Sequence, residues 1–248
     1  MDVMRLRHIS PDQVIFWQWG FVHINATLVF TWVIMGLLVV IAAVGTWKLT
    51  SETRISRWQN LLEVLVAGVL QQIQEVSHEK PDRYLPFIGT LFLFIALANL
   101  LTIVPGYVPP TASLSTTAAL AILVFIAVPA YGIMDQGLLG YLKHYIRPTP
   151  FMVVFNILGE LSRTLALAVR LFGNIMSGTK IAAILLAVAP LIFPVLLQLL
   201  GLLTGLIQAY IFAILAMVYI ASGTRARRQR EQKYQTSPTS LQEENTES

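Results

Sequence analysis

The chain has no cysteine among its 248 residues. That excludes disulfides and thiolate metal sites and leaves the compartment open. Charge is scarce too: Asp, Glu, Lys and Arg make up 12% of the chain, against about 25% in a soluble domain. There is no glycine-rich phosphate loop, no metal-ligand cluster and no nucleophile–base pair. Enzyme chemistry therefore finds no residue set here and no cofactor is called for; a nucleotide, if one takes part, binds elsewhere. The N-terminus carries Arg5 and Arg7 but no clean apolar core before Trp17, so no cleaved signal peptide is expected. The net charge of +4 reads as loop lysine and arginine on one side of a bilayer. It does not point to nucleic acid, because the basic residues are not gathered on a soluble fold.

What the chain has in quantity is apolar sequence, 56% of it, in runs of the roughly 20 residues that cross a bilayer. The expected fold is an all-α membrane protein with five membrane-crossing helices and one amphipathic helix. The spans fall at about 22–47, 85–104, 116–134, 151–189 and 192–222. Trp17 and Trp19 read as interfacial anchors before the first of them, and His23 as a polar contact. Over 57–76, Leu61, Leu62, Leu65, Val66, Val69, Leu70 and Ile73 recur at helical spacing, with Gln59, Glu63, Gln71, Gln74 and Glu75 largely elsewhere. That pattern suits a helix lying at the interface or against a partner. Pro129 is a candidate kink, and 135–150 reads as a loop or short helix. No proline interrupts Phe151 to Ala189; at 1.5 Å per residue this helix reaches roughly 57 Å, against about 30 Å of hydrocarbon. It must tilt steeply, or lay its first third along the surface. With Pro190 and Pro194 at the turn, the last two helices form a long tilted hairpin.

Residues 1–222 thus read as one polytopic domain. Residues 223–248 read as a basic, then polar tail, largely disordered. With the C-terminus inside, twelve lysines and arginines lie inside, among them Lys48, Arg57, Lys80, Arg147 and Arg228, against Arg5 and Arg7 outside. The N-terminus is then outside and the crossing number odd. No internal repeat is visible, which counts against transporters built from duplicated halves.

One stretch, Ser162 to Asn174, is strongly apolar yet holds Arg163 and Arg170. Arginine cannot shed its proton in a protein, and a charge at the bilayer centre costs about 2.5–3.5 kcal/mol on insertion scales. Asn156, Glu160, Arg163, Arg170, Asn174 and Ser177 follow one another at steps of 4, 3, 7, 4 and 3, so they share one helix stripe. Glu160 and Arg163 can pair, which serves packing as well as function. Arg170 has no acid within a turn; Asn174 can help hold its guanidinium, but its counter-ion must come from another helix or chain. On the next helix Gln198, Gly201, Gly205 and Gln208 form a matching line, with Thr204 beside it. Its Gly-x-x-x-Gly part reads first as helix packing. Lys180 lies off the stripe and snorkels to the outer interface.

Arg170-Leu171-Phe172-Gly173-Asn174 and Gln208-Ala209-Tyr210-Ile211-Phe212 together resemble subunit a of the F-type ATP synthase. Pro86 to Phe94 and the helix order over about residues 10–222 extend the resemblance, which is nearest the N-type ATPase branch, where some members are thought to pump sodium. The resemblance implies a non-catalytic, ion-translocating subunit of an energy-coupling membrane, bacterial inner or thylakoid-like. It implies as partners a ring of c subunits, a b-type peripheral stalk, other ATP synthase subunits and the lipid bilayer. It makes Arg170 the cation facing the c-ring carboxylate, with Asn174 and Gln208 shaping the ion path. Many members have a carboxylate where Thr179 stands, some a histidine or acid at Gly201, and many an aspartate near Ser113. The outer path must then rely on water, on hydroxyls such as Ser177 and Thr179, or on another acid; Glu160 is the inner-side candidate. The readings that compete with this one are a stand-alone cation channel or secondary transporter lined by Arg163 and Arg170, and a membrane assembly factor with a structural arginine.

Overall fold

The computed structural model describes residues 15–19, 22–46, 57–77, 83–104, 106–146, 152–188 and 193–224. Six helices follow a short hairpin: β1 (Ile15–Trp19), β2 (Val22–Asn25), α1 (Ala26–Thr46), α2 (Arg57–Ser77), α3 (Leu85–Leu100), α4 (Leu114–Ile146), α5 (Met152–Val188) and α6 (Phe193–Thr224). The tail beyond Thr224 and the turn at Pro190 lie outside the described residues.

The first expectation to be corrected is the start of α1. Residues 22–25 are not its first turn; β2 pairs antiparallel with β1, His23 opposite Gln18 and Val22 opposite Trp19. β-branched and aromatic residues favour this pleated pairing, and Trp17 and Trp19 belong to a strand. The helix begins at Ala26 and carries no charged residue. By length and composition four helices suit a membrane crossing among the described residues: Ala26–Val44, Leu85–Ile103, Leu114–Met134 and Val195–Ser222. With the apolar surface they expose, they make this an integral membrane protein. The 37-residue α5 is not among the four; Glu160, Arg163, Arg170 and Lys180 are spread along it.

α2 forms where the amphipathic pattern places it, one residue longer than expected. Ile73 is buried in the core with Ile34 of α1, while Gln71, Gln74 and Glu75 are exposed. α3 ends in a 3-10 turn at Leu101–Ile103, and Gly106 then turns the chain at φ 88°. A second 3-10 turn, Pro110–Ala112, leads into α4. α4 departs from helical dihedrals at Gly137 (φ 71°, ψ 161°), beyond Pro129. The segment expected as a loop or short helix is therefore a second helical piece, set off from the first by a kink at Gly137.

The core lies where α6 meets α3, α4 and α5. Its α6 side is a run of small residues, Gly205, Ala209, Ala213 and Ala216, continued by Met217 and Ile220. Leu167, Ala168 and Leu171 face it from α5, and Ile95 and Ala98 from α3. Small side chains let helix backbones approach closely, which is how apolar helices associate where burial from water no longer drives them.

Candidate functional site

The inward face of α5 is set by Thr164, Leu167, Ala168 and Leu171, all buried. The polar stripe runs along the edge of that face. Asn156, Glu160 and Asn174 are half-buried, and Arg163, Arg170 and Ser177 are exposed. Arg170 sits among apolar neighbours that are themselves exposed, Leu165 and Val169 at 63% and 53%. Among the described residues no other part of the chain covers this face. Among the described residues the Arg170 guanidinium has neither a hydrogen bond nor an ion pair.

Cross-links between α5 and α6 fix the level of Arg170. The Asn174 amide donates to the Thr204 carbonyl at 3.4 Å. The Arg163 guanidinium lies over the Tyr219 ring, 5.8 Å from its centroid. Later residues on one helix thus meet earlier ones on the other, so the helices run antiparallel. Arg170 precedes Asn174 by one turn and Gln208 follows Thr204 by one turn, so Arg170 and Gln208 stand at the same height. The Asn174 amide thus reaches across to α6, where the sequence suggested it would steady the guanidinium. The Ser177 hydroxyl donates to the Asn174 carbonyl at 3.1 Å, and the Thr164 hydroxyl to the Glu160 carbonyl at 2.9 Å. The side chain of Thr179 lies outside the described residues.

Gln208 is 5% exposed, and its amide nitrogen has no acceptor among the described residues. Leaving a buried donor unmade costs about 1–3 kcal/mol, so this carboxamide sits at a site that stability alone does not select. The two glycines behave differently. A Cβ on Gly205 would stand 2.8 Å from Asn99 Cγ, whereas one on Gly201 would meet nothing within 4 Å. Gly205 packs against Asn99; Gly201 is exposed and meets nothing among the described residues.

Asn99 is the residue that sequence reasoning missed. It is buried on α3 and donates its amide to the Gly205 carbonyl at 3.0 Å. Nearer the start of α6, the Gln198 amide donates to the Thr102 carbonyl, also at 3.0 Å. The signal was available: Asn99 is the lone carboxamide in an otherwise apolar span, and a polar group inside a membrane helix needs a partner. A second unforeseen link runs from the Tyr210 hydroxyl to Gln72 of α2, at 2.6 Å. It ties the amphipathic helix to the helix that carries Gln208.

This arrangement can hold a permanent positive charge at mid-helix, beside a buried carboxamide, on a face open to a second macromolecule. Among the described residues no group of three or more His, Asp or Glu could hold a metal ion.

The ATP synthase A chain family pattern matches residues 28–221, which takes in all six helices but for their outermost turns. The chain is 61% identical over 229 residues to ATP synthase subunit a 2 of Acaryochloris marina, covering 92% of this chain and 97% of that one. It is 60% identical to ATP synthase subunit a 1 of Chlorobaculum parvum (89% and 97% covered) and 60% identical to ATP synthase subunit a of Albidiferax ferrireducens (89% and 95% covered). The resemblance read from Arg170–Asn174 and Gln208–Phe212 is thereby borne out along nearly the whole chain, which belongs to the ATP synthase A chain family, that of subunit a.

Proposed function

We propose that this chain is the fixed ion-conducting subunit of a rotary F-type ATP synthase, close to the N-type branch, and that it passes protons or sodium ions between two half-channels by way of a turning c ring. The observation that carries the reading is Arg170: a charge that cannot be discharged, on an open helix face, level with Gln208 and without an acid among the described residues. A carboxylate on a passing c subunit is the counter-charge that fits. Facing lipid, such a carboxylate is neutralised by its ion, because desolvation disfavours the bare anion. Opposite Arg170 the anion is favoured; an adjacent cation lowers a carboxyl pKa by about 1–3 units. The ion is released there and replaced from the other side, and the same guanidinium repels cations that would leak straight across. A membrane potential then supplies about 2.3 kcal/mol per charge per 100 mV.

In this reading α5 also crosses, which brings the crossings to five, and α5 and α6 lean together against the ring. The N-terminus is outside and the basic tail inside. Residues 1–222 act as one membrane domain, Glu160 is the inner-side acid, and Asn174, Gln208, Ser177 and Thr179 shape the ion path. The b-type stalk and the other ATP synthase subunits hold the chain against rotation. Arg163, over Tyr219, helps set the α5–α6 angle.

The test is Arg170→Ala in the assembled complex. Ion-driven ATP synthesis and ATP-driven pumping are expected to vanish, while the soluble headpiece still hydrolyses ATP. Normal coupling in that variant rejects the proposal. Ion flux by the purified chain in liposomes without a c ring rejects it in favour of a stand-alone channel.

A further inference from the structure

Three helices hold α6 on either side of Gln208. Asn99 of α3 donates to the Gly205 carbonyl, and Asn174 of α5 to the Thr204 carbonyl. The third hold comes from α2, where Gln72 Oε1 accepts the Tyr210 hydroxyl at 2.6 Å across a separation of 138 residues. The first two bonds end on backbone carbonyls. Backbone atoms lie about 2 Å from a helix axis, so such bonds fix the height of α6 and resist its rotation only weakly. The phenol hydroxyl sits at the end of a long, stiff side chain and has a far longer lever arm.

The acceptor is itself oriented. Gln72 Nε2 donates to one carboxylate oxygen of Glu75 at 3.4 Å, and Gln71 Nε2 donates to the other at 3.0 Å. A carboxylate offers acceptors only. Were the Gln72 carboxamide turned round, its oxygen would face that carboxylate and its amide would face the phenol. Glu75 thus selects the orientation that receives Tyr210.

Tyr210 and Gln208 are two residues apart, about 200° around the helix. The link therefore grips α6 from the side away from Gln208. Rotating α6 by about 20° carries a side-chain tip about 6 Å from the axis through about 2 Å, and a misplacement of about 1 Å is enough to spoil a working geometry. The Gln208 amide nitrogen has no acceptor among the described residues, so its aim depends on the helix that carries it.

We propose that Tyr210 and Gln72, oriented by Glu75, are positioning residues: they set the rotation of α6 and so the direction in which Gln208 presents its carboxamide at the level of Arg170. The amphipathic helix α2 thereby acts on the ion path without lining it. The effect on transport rests on the role given to Gln208 above; the hold on rotation does not.

Both parts are tested in the complete complex. The chain has no cysteine, so Leu161→Cys on α5 and Val218→Cys on α6, both exposed, carry spin labels whose separation reports the rotation of α6. Tyr210→Phe and Gln72→Leu are each expected to shift or broaden that distance distribution; an unchanged distribution overturns the bracket. Each is expected to lower ion-driven ATP synthesis several-fold at unchanged complex content, and the two together no further than one alone. Unchanged synthesis, or a loss matched by lower complex content, overturns the positioning role. Exchanging the two side chains, Gln72→Glu with Glu75→Gln, keeps the composition and places a carboxylate acceptor opposite the phenol. This exchange is expected to retain most of the synthesis with Tyr210 present and none of that benefit in Tyr210→Phe; a loss equal to that of Gln72→Leu overturns the bracket. Retained coupling in Arg170→Ala would sink the earlier reading and leave the distance result standing.

Discussion

Two glycines one turn apart on α6 illustrate how a single residue is decided by its neighbours. Gly205 is pressed onto Asn99, so a methyl there forces the buried carboxamide off the carbonyl it serves. Overpacking of this kind costs about 1–3 kcal/mol. Gly205→Ala is expected to lower the thermal unfolding temperature of the purified subunit assembly measurably. Gly201→Ala, with nothing to meet among the described residues, is expected to leave it unchanged. Combining Gly205→Ala with Asn99→Ala should lose less than the two changes added, because each relieves the contact the other strains. The same logic separates the two arginines. Arg163 is satisfied within the chain by the Tyr219 ring, a contact of about 0.5–1 kcal/mol at an exposed site. Arg170 finds no such partner among the described residues, which is why its role is sought outside the chain.

At the scale of elements, α4 is two helical pieces held by one glycine. The φ of 71° with ψ of 161° at Gly137 belongs to a region that side chains occupy only at a cost of about 1–3 kcal/mol. Gly137→Ala is expected to destabilise the subunit by that order in thermal unfolding. Gly36→Ala, in the helical run of α1 with open space around it, is expected to be neutral or to stabilise by up to about 1 kcal/mol. The link from Tyr210 to Gln72 fastens α2 to α6. Tyr210→Phe should cost about 0.5–1.5 kcal/mol and raise amide hydrogen exchange in α2 more than in α3, which exchange read by mass spectrometry can check. Amphipathic spacing made α2 legible, because one apolar face is enough to define it. The β1–β2 hairpin was not legible beside it. Its aromatic and β-branched residues also suit a membrane interface, and only the pairing of Gln18 with His23 and Trp19 with Val22 distinguishes the two.

For the whole molecule, the charge count along the chain leads to the proposal of an odd number of crossings. Four helices among the described residues meet the length and composition of a span; the proposed reading adds α5 to them, which would put the two termini on opposite sides. A tag at each end, tested by protease protection in sealed vesicles, is expected to show the C-terminal tag on the inner side and the N-terminal tag on the outer side. The same outcome for both tags would reject five crossings. The wide exposed apolar surface, from Trp32 and Val39 on α1 to Leu199 and Leu203 on α6, is that of a bundle with lipid and other subunits on most sides.

Composition and spacing by themselves determined that this chain lives in a bilayer, that one helix is amphipathic, and that Arg170 and Asn174 share one helix stripe. Those conclusions depend on the solvation of charge and on the 3.6-residue repeat, both of which are local. The tertiary structure decided the rest. It set Arg170 level with Gln208, gave the Asn174 amide to Thr204, and brought Asn99 onto Gly205 from 106 residues away. Such contacts depend on how helices stack and slide against one another, and no local periodicity carries that register.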